Sequence, residues 1–128
     1  PVQGFIKKTN NKIILSMTIR RAFADEFWFT LFHEIGHLIN GDIVSTQFID
    51  YADSKSDIED KADEFARKTL INEEAYEAFI NKKELTEENI IKFAEEQEIK
   101  PFIIVGRIQK ERNDYALFYN LKIRYKWK

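Results

Sequence analysis

The stretch that most restricts what this chain can become is "DEFWFTLFHEIGHLIN", Asp25 to Asn40. Asp25 is a good helix N-cap and Gly41 follows where a left-handed C-cap glycine belongs, so one helix is expected between them. Phe27, Trp28, Phe29, Leu31, Phe32, Ile35, Leu38 and Ile39 point in nearly every direction around it, the pattern of a helix packed on most sides. The remaining elements are therefore expected to pack around this one as the central helix.

Before it, "VQGFIKKTNNKIILSM" places two apolar-leaning runs on either side of the turn-prone "TNN" and predicts a β-hairpin over residues 3–17. After it, residues 42–55 read as irregular or partly extended. From Ser56, "SDIEDKADEFARKTL" has the periodicity of an amphipathic helix ending near Leu70. Shorter helices are expected at Glu73–Ile80 and, capped by Thr86, at Glu87–Glu96. "PFIIVGRIQKE" is open between two readings: its β-branched run fits a strand, whereas Pro101 at a first helical position fits a helix. No repeat, linker or low-complexity tract divides the chain, so residues 1–128 are expected to form one domain. The start at Pro1, without methionine, fits a segment trimmed or excised from something longer.

Composition limits the chemistry. The chain has no cysteine, so any metal must be held by imidazole and carboxylate, and a cytoplasmic location is expected. Charged residues make up 33% of the chain, yet the net charge is only −2. The two signs are therefore interspersed, and direct nucleic-acid binding by this segment is not expected. The apolar runs "FWFTLF" and "PFIIV" are far shorter than the roughly 20 residues that cross a bilayer, so no membrane partner is expected.

Within the first helix, His33 and His37 lie four residues apart and stack one above the other on one face, with Glu34 beside them. Zinc held by neutral imidazoles keeps a position for water and lowers its pKa, while a neighbouring carboxylate takes up the proton as that water attacks a carbonyl. Lysine at position 34 would be no base, and another histidine spacing would separate the ligands. Chance produces this pattern in roughly 0.2% of chains with two histidines and this glutamate content. A pair of hydrogen-bonded core histidines is the plainer alternative.

A catalytic zinc usually has three protein ligands, and here the third must be Asp or Glu. On the helix from Ser56 the apolar stripe runs through Ile58, Ala62, Phe65, Ala66, Thr69 and Leu70. Glu59 falls inside that stripe and Asp63 at its edge, while Asp57, Asp60 and Glu64 point away. A carboxylate turned toward the core is costly unless it is paired or metal-bound, which makes Glu59 the preferred ligand. Asp63, one turn on, is placed to bond the outer nitrogen of a ligating histidine. The competing reading of Glu59 is a capping box with Ser56, which would leave Asp42, Asp50 or Asp53 for the metal. For Asp63 it is a solvated surface acid.

"DEFWFTLFHEIGHLI" (Asp25–Ile39), "EDKADEFARKTLI" (Glu59–Ile71) and "PFIIVGRIQ" (Pro101–Gln109) are similar to segments of the ImmA/IrrE family of zinc metallopeptidases, whose members are often fused to a helix-turn-helix repressor or antitoxin domain. The resemblance implies His33 and His37 as zinc ligands, Glu34 as catalytic base, Glu59 as third ligand, and a helix at 101–110. It also implies a protein substrate, a helix-turn-helix repressor or another regulator. Asn72 stands where relatives commonly have proline, which puts a local turn in question. No helix-turn-helix lies within these residues.

The expectation is thus an α+β, zincin-like metallopeptidase domain with an N-terminal hairpin and HExxH on a central helix, cleaving a partner regulator with Zn2+ and Glu34. The alternative is a non-catalytic antitoxin or regulatory module that retains the zinc-site fold. A donor to the developing oxyanion is also needed, and Tyr51, Arg107, Tyr115 and Tyr119 are candidates with no preference among them. The hairpin offers an edge strand on which an extended peptide can add, or simply completes the core.

Overall fold

The computed structural model describes residues 4–9, 12–17, 23–41 and 52–125. Among these residues the architecture is α+β, with five α-helices and one two-stranded sheet. Strands β1 (Gly4–Thr9) and β2 (Lys12–Met17) pair antiparallel, Gly4 opposite Met17 and Thr9 opposite Lys12, as the alternation around "TNN" predicts.

Helix α1 (Ala24–Ile39) starts differently from the expectation. Phe23 is the N-cap and makes no side-chain cap bond; Asp25 lies in the first turn, buried, with its carboxylate on Lys122 at 2.9 Å. A tertiary ion pair has claimed the side chain that local preference would spend on capping. The start is held by backbone pairing instead, since Ala24 N–H donates to the Ile123 carbonyl at 2.8 Å. At the other end Gly41 adopts φ +75°, the left-handed conformation expected of it.

Helix α2 (Ala52–Leu70) begins four residues before Ser56, so 52–55 are helical rather than irregular. Ser56 therefore sits inside the helix and is no N-cap, which removes the capping box proposed for Glu59. The stripe on α2 is otherwise as read: Ala62 and Ala66 are buried, Glu59 and Asp63 half-buried, and Asp57, Asp60 and Glu64 exposed. Thr69 departs from it and is exposed.

Helices α3 (Glu73–Asn81) and α4 (Glu87–Glu96) are capped by side chains, Asn72 accepting from Ala75 N–H at 2.9 Å and Thr86 from Asn89 N–H at 3.1 Å. Asn72 thus caps the helix with its own side chain, so the local turn in question is closed without a proline. Helix α5 (Pro101–Arg112) resolves the ambiguous segment, with Pro101 in its first turn and Asn113 left-handed just beyond its end.

Burial concentrates on α5, where residues 102–109 are all buried, whereas Leu38 and Ile39 at the end of α1 are exposed. The enclosure expected around α1 belongs to α5. Its Ile103, Ile104, Val105 and Ile108 join Ile71, Tyr76, Phe79, Ile90 and Phe93 in one core, each buried aliphatic side chain contributing about 1.5–3 kcal/mol. Helix α1 packs on α2, α5 and the hairpin. Its approach to α2 is close at Gly36: a Cβ there would lie 3.1 Å from Phe65 Cδ1 and 3.2 Å from Ala62 Cα. This small-residue crossing, between His33 and His37 on one helix and Glu59 and Asp63 on the other, sets how near their side chains come.

Candidate metal centre

The α1 face that presents His33 and His37 meets the half-buried acids of α2. His33 Nε2 lies 2.7 Å from Glu59 Oε2, His37 Nε2 lies 3.3 Å from Glu59 Oε1, and the two Nε2 atoms are 3.1 Å apart. The rings stand edge to face, 4.7 Å between centroids. On the far side of its ring, His33 Nδ1 is 2.6 Å from Asp63 Oδ1. The helical spacing of four and the stripe position of Glu59 thus converge on one point, with Asp63 behind it.

With its proton on Nδ1, donated to Asp63, His33 turns a lone pair at Nε2 toward the Glu59 carboxylate, which is acceptor-only. His37 Nε2 faces both. In that tautomer the His33 lone pair and the Glu59 carboxylate repel each other at 2.7 Å unless a cation, proton or metal, sits between them. Ligand atoms about 2.0–2.1 Å from a tetrahedral zinc lie about 3.3 Å from one another. The 3.1 and 3.3 Å separations match that edge, and the 2.7 Å one is the length of a charge-assisted hydrogen bond. His33, His37 and Glu59 can hold a metal ion.

The electrostatics follow from the same contacts. The Asp63 carboxylate bonded to His33 raises the imidazole pKa against the opposing effect of burial, with the charges of Asp63 and Glu59 adding to it. The same bond lowers Asp63. Burial pushes the Glu34 carboxyl up, although both histidines pull it down. Glu34 is 7% exposed.

His33, Glu34, Glu59 and Asp63 line a cleft of about 1090 Å³ between α1, α2 and α5, together with Arg67, Arg107, Lys110, Tyr115 and Lys122. Arg107 is buried, donating to Glu73 at 2.9 Å and Glu111 at 3.0 Å while its guanidinium lies over the Tyr76 ring. Sequence reasoning missed two features of this wall: the buried Asp25–Lys122 pair and the role of Gln109 beside it. Asp25 and Lys122 lie 97 residues apart in the chain, and no helical or strand spacing announces either contact. Asp42, Asp50 and Tyr51 lie outside the described residues, as does the side chain of Asp53.

Two imidazoles of one helix meet a carboxylate of the next, a donor set that could hold a metal ion, and the family match points to a metallopeptidase-type domain. The family model for the IrrE N-terminal-like domain matches residues 20–109, and the chain belongs to that family, which also includes regulatory members. No curated protein and no solved structure gives a significant match.

Proposed function

We propose that this domain is a zinc-dependent metalloendopeptidase of zincin-like fold that hydrolyses a peptide bond in a partner regulator, such as a helix-turn-helix repressor. The observation that carries the reading is the approach of His33 Nε2, His37 Nε2 and the Glu59 carboxylate to within 2.7–3.3 Å of one another. In this reading those three residues hold the zinc, and Asp63 fixes the tautomer and tilt of His33 from behind. A zinc ion held there would supply Lewis-acid chemistry, making water easier to deprotonate near neutral pH and the scissile carbonyl more electrophilic. Glu34 accepts the proton of the attacking water at its carboxylate and passes it to the leaving amine. Its burial-raised pKa brings it toward the pH at which a general base works.

The purified protein should carry about one zinc per chain. Glu34→Gln should keep that metal and lose at least about a hundredfold in cleavage, scored on a quenched-fluorescent peptide pool and on neighbouring repressors. Cleavage undiminished in Glu34→Gln would remove the proposed base. A repressor bound tightly but left intact by the zinc-loaded protein would instead establish the non-catalytic interaction module.

A further inference from the structure

We infer that Tyr115 is a further catalytic residue of this cleft, its phenol donating a hydrogen bond to the oxygen of the scissile carbonyl as negative charge develops there. The inference rests on the peptidase reading above. It concerns a residue beyond position 109, where the family match ends.

Peptide hydrolysis turns a neutral carbonyl oxygen into an oxyanion, and a fixed donor at that oxygen speeds the reaction because it bonds the transition state more strongly than the substrate. The donor must face the cleft and have its hydrogen to spare. Arg107 is excluded by burial: it is 5% exposed, Nε and Nη2 are held by Glu111 and Glu73, and Nη1, which has no partner, is itself buried out of a substrate's reach. Tyr119 is not among the cleft-lining residues, and its hydroxyl is 3.3 Å from Arg124 Nη2. Tyr115 meets both requirements. It lines the cleft with His33, Glu34 and Glu59, is 54% exposed, and its hydroxyl has no hydrogen-bond partner among the described residues.

Its position is built, not incidental. Gln109, 1% exposed on α5, donates through Nε2 to the carbonyls of Tyr115 at 3.2 Å and Leu117 at 2.7 Å. Gln109 Oε1 accepts from Lys122 Nζ at 3.1 Å, and Lys122 in turn donates to Asp25 Oδ2 at 2.9 Å. Asp25 belongs to the first turn of α1, the helix that carries His33 and Glu34. Gly106 makes room for this relay, because a Cβ there would lie 2.5 Å from Asp25 Oδ2. The turn is also closed locally, Asp114 N–H donating to the Gln109 carbonyl and Ala116 N–H to Asp114 Oδ1. A buried ion pair stabilises little relative to apolar residues of the same volume, so the gain from this one lies in geometry. It ties the Tyr115 turn to the helix bearing the site.

The test uses zinc-loaded protein and a dipeptidyl phosphonate, whose tetrahedral charged oxygens imitate the oxyanion. Tyr115→Phe, which removes only the hydroxyl, should bind the phosphonate about 10- to 100-fold more weakly, the loss of one hydrogen bond to a charged acceptor. Zinc content and thermal midpoint should stay at the parent's values. On a peptide that the parent cleaves, kcat should fall in the same ratio with KM little changed. Equal phosphonate affinity in parent and Tyr115→Phe overturns the assignment, as does a loss seen in Lys110→Met but not in Tyr115→Phe. A parent that binds zinc and no phosphonate also counts against it. The two readings fail separately: undiminished cleavage by Glu34→Gln sinks the peptidase, whereas an inert Glu34→Gln beside a fully active Tyr115→Phe sinks only the tyrosine.

Discussion

Two polar clusters share one cleft and differ in where their cation comes from. Around Arg107, the chain supplies the charge: a buried guanidinium answers the carboxylates of Glu73 and Glu111, and the Tyr76 hydroxyl donates to Glu111 at 2.7 Å. Around His33, two imidazoles and two carboxylates face one another with no lysine or arginine bonded among them in the described residues. Arg67 and Lys110 act on Asp63 only through their charge. Both clusters join elements distant in sequence and both bury polar atoms. The first supplies its own cation, although Arg107 Nη1 and Glu73 Oε2 stay buried without partners, and the second presents a donor set that could hold a metal ion. Charge balance, more than burial or residue type, separates a brace from a candidate metal site.

The comparison breaks most visibly at Arg107. Arg107→Met leaves two carboxylates without their cation and should cost about 3 kcal/mol of unfolding free energy, the low end for a broken buried pair because Glu73 and Glu111 are partly exposed. Urea denaturation with and without zinc should give the same loss. A loss that appears only with zinc present would join the two clusters into one.

A change at Asp63 should act in the opposite way. Asp63→Asn should lower zinc affinity about 10- to 100-fold in a competition titration with a chelator. It should alter the unfolding free energy of the zinc-free protein by no more than about 1 kcal/mol, since the Asp63 side chain is 37% exposed. Unchanged affinity would reduce Asp63 to a solvated helix acid.

The gentlest probe is pH, and the clusters should fail for different reasons. Glu73 is held below the ordinary carboxylate range, chiefly by its hydrogen bond from Arg107. Its contribution is present above the unfolded pKa of about 4.3 and is lost as pH falls through the lower folded value. His33 is raised, so in zinc-free protein its contribution is full below about 6.5 and is lost as pH rises through the higher folded value. Zinc requires the deprotonated ring, so its affinity should decline with acidification from a higher pH than an ordinary histidine would give. Zinc titrations over a pH series would show this, and an affinity flat down to about pH 6 would contradict the His33–Asp63 coupling.

How much of this was legible beforehand depends on the range of the interaction. The hairpin followed from "TNN" between apolar runs, the fourth helix from Thr86, and the two half-buried acids of α2 from their angle to Ala62 and Ala66. Asp25 was misread because its value as a cap is visible in its neighbours, whereas Lys122 is not. The early start of α2 at Ala52 and the full burial of α5 were likewise hidden, the second because "PFIIVGRIQKE" serves a strand or a helix equally well on its own.

By itself the sequence determined what one turn of helix or one strand pair can encode: the stacking of His33 over His37, the exclusion of thiolate ligands, and which face of α2 carries Glu59. Tertiary structure alone decided the rest. It brought the α2 acids against the α1 rings through the Gly36–Ala62 crossing, drew Asp25 to Lys122, and set the Tyr115 turn beside the cleft. The physical reason is that a side chain's angle about its own axis is fixed by backbone periodicity, whereas the distance between axes is fixed by the residues packed between them.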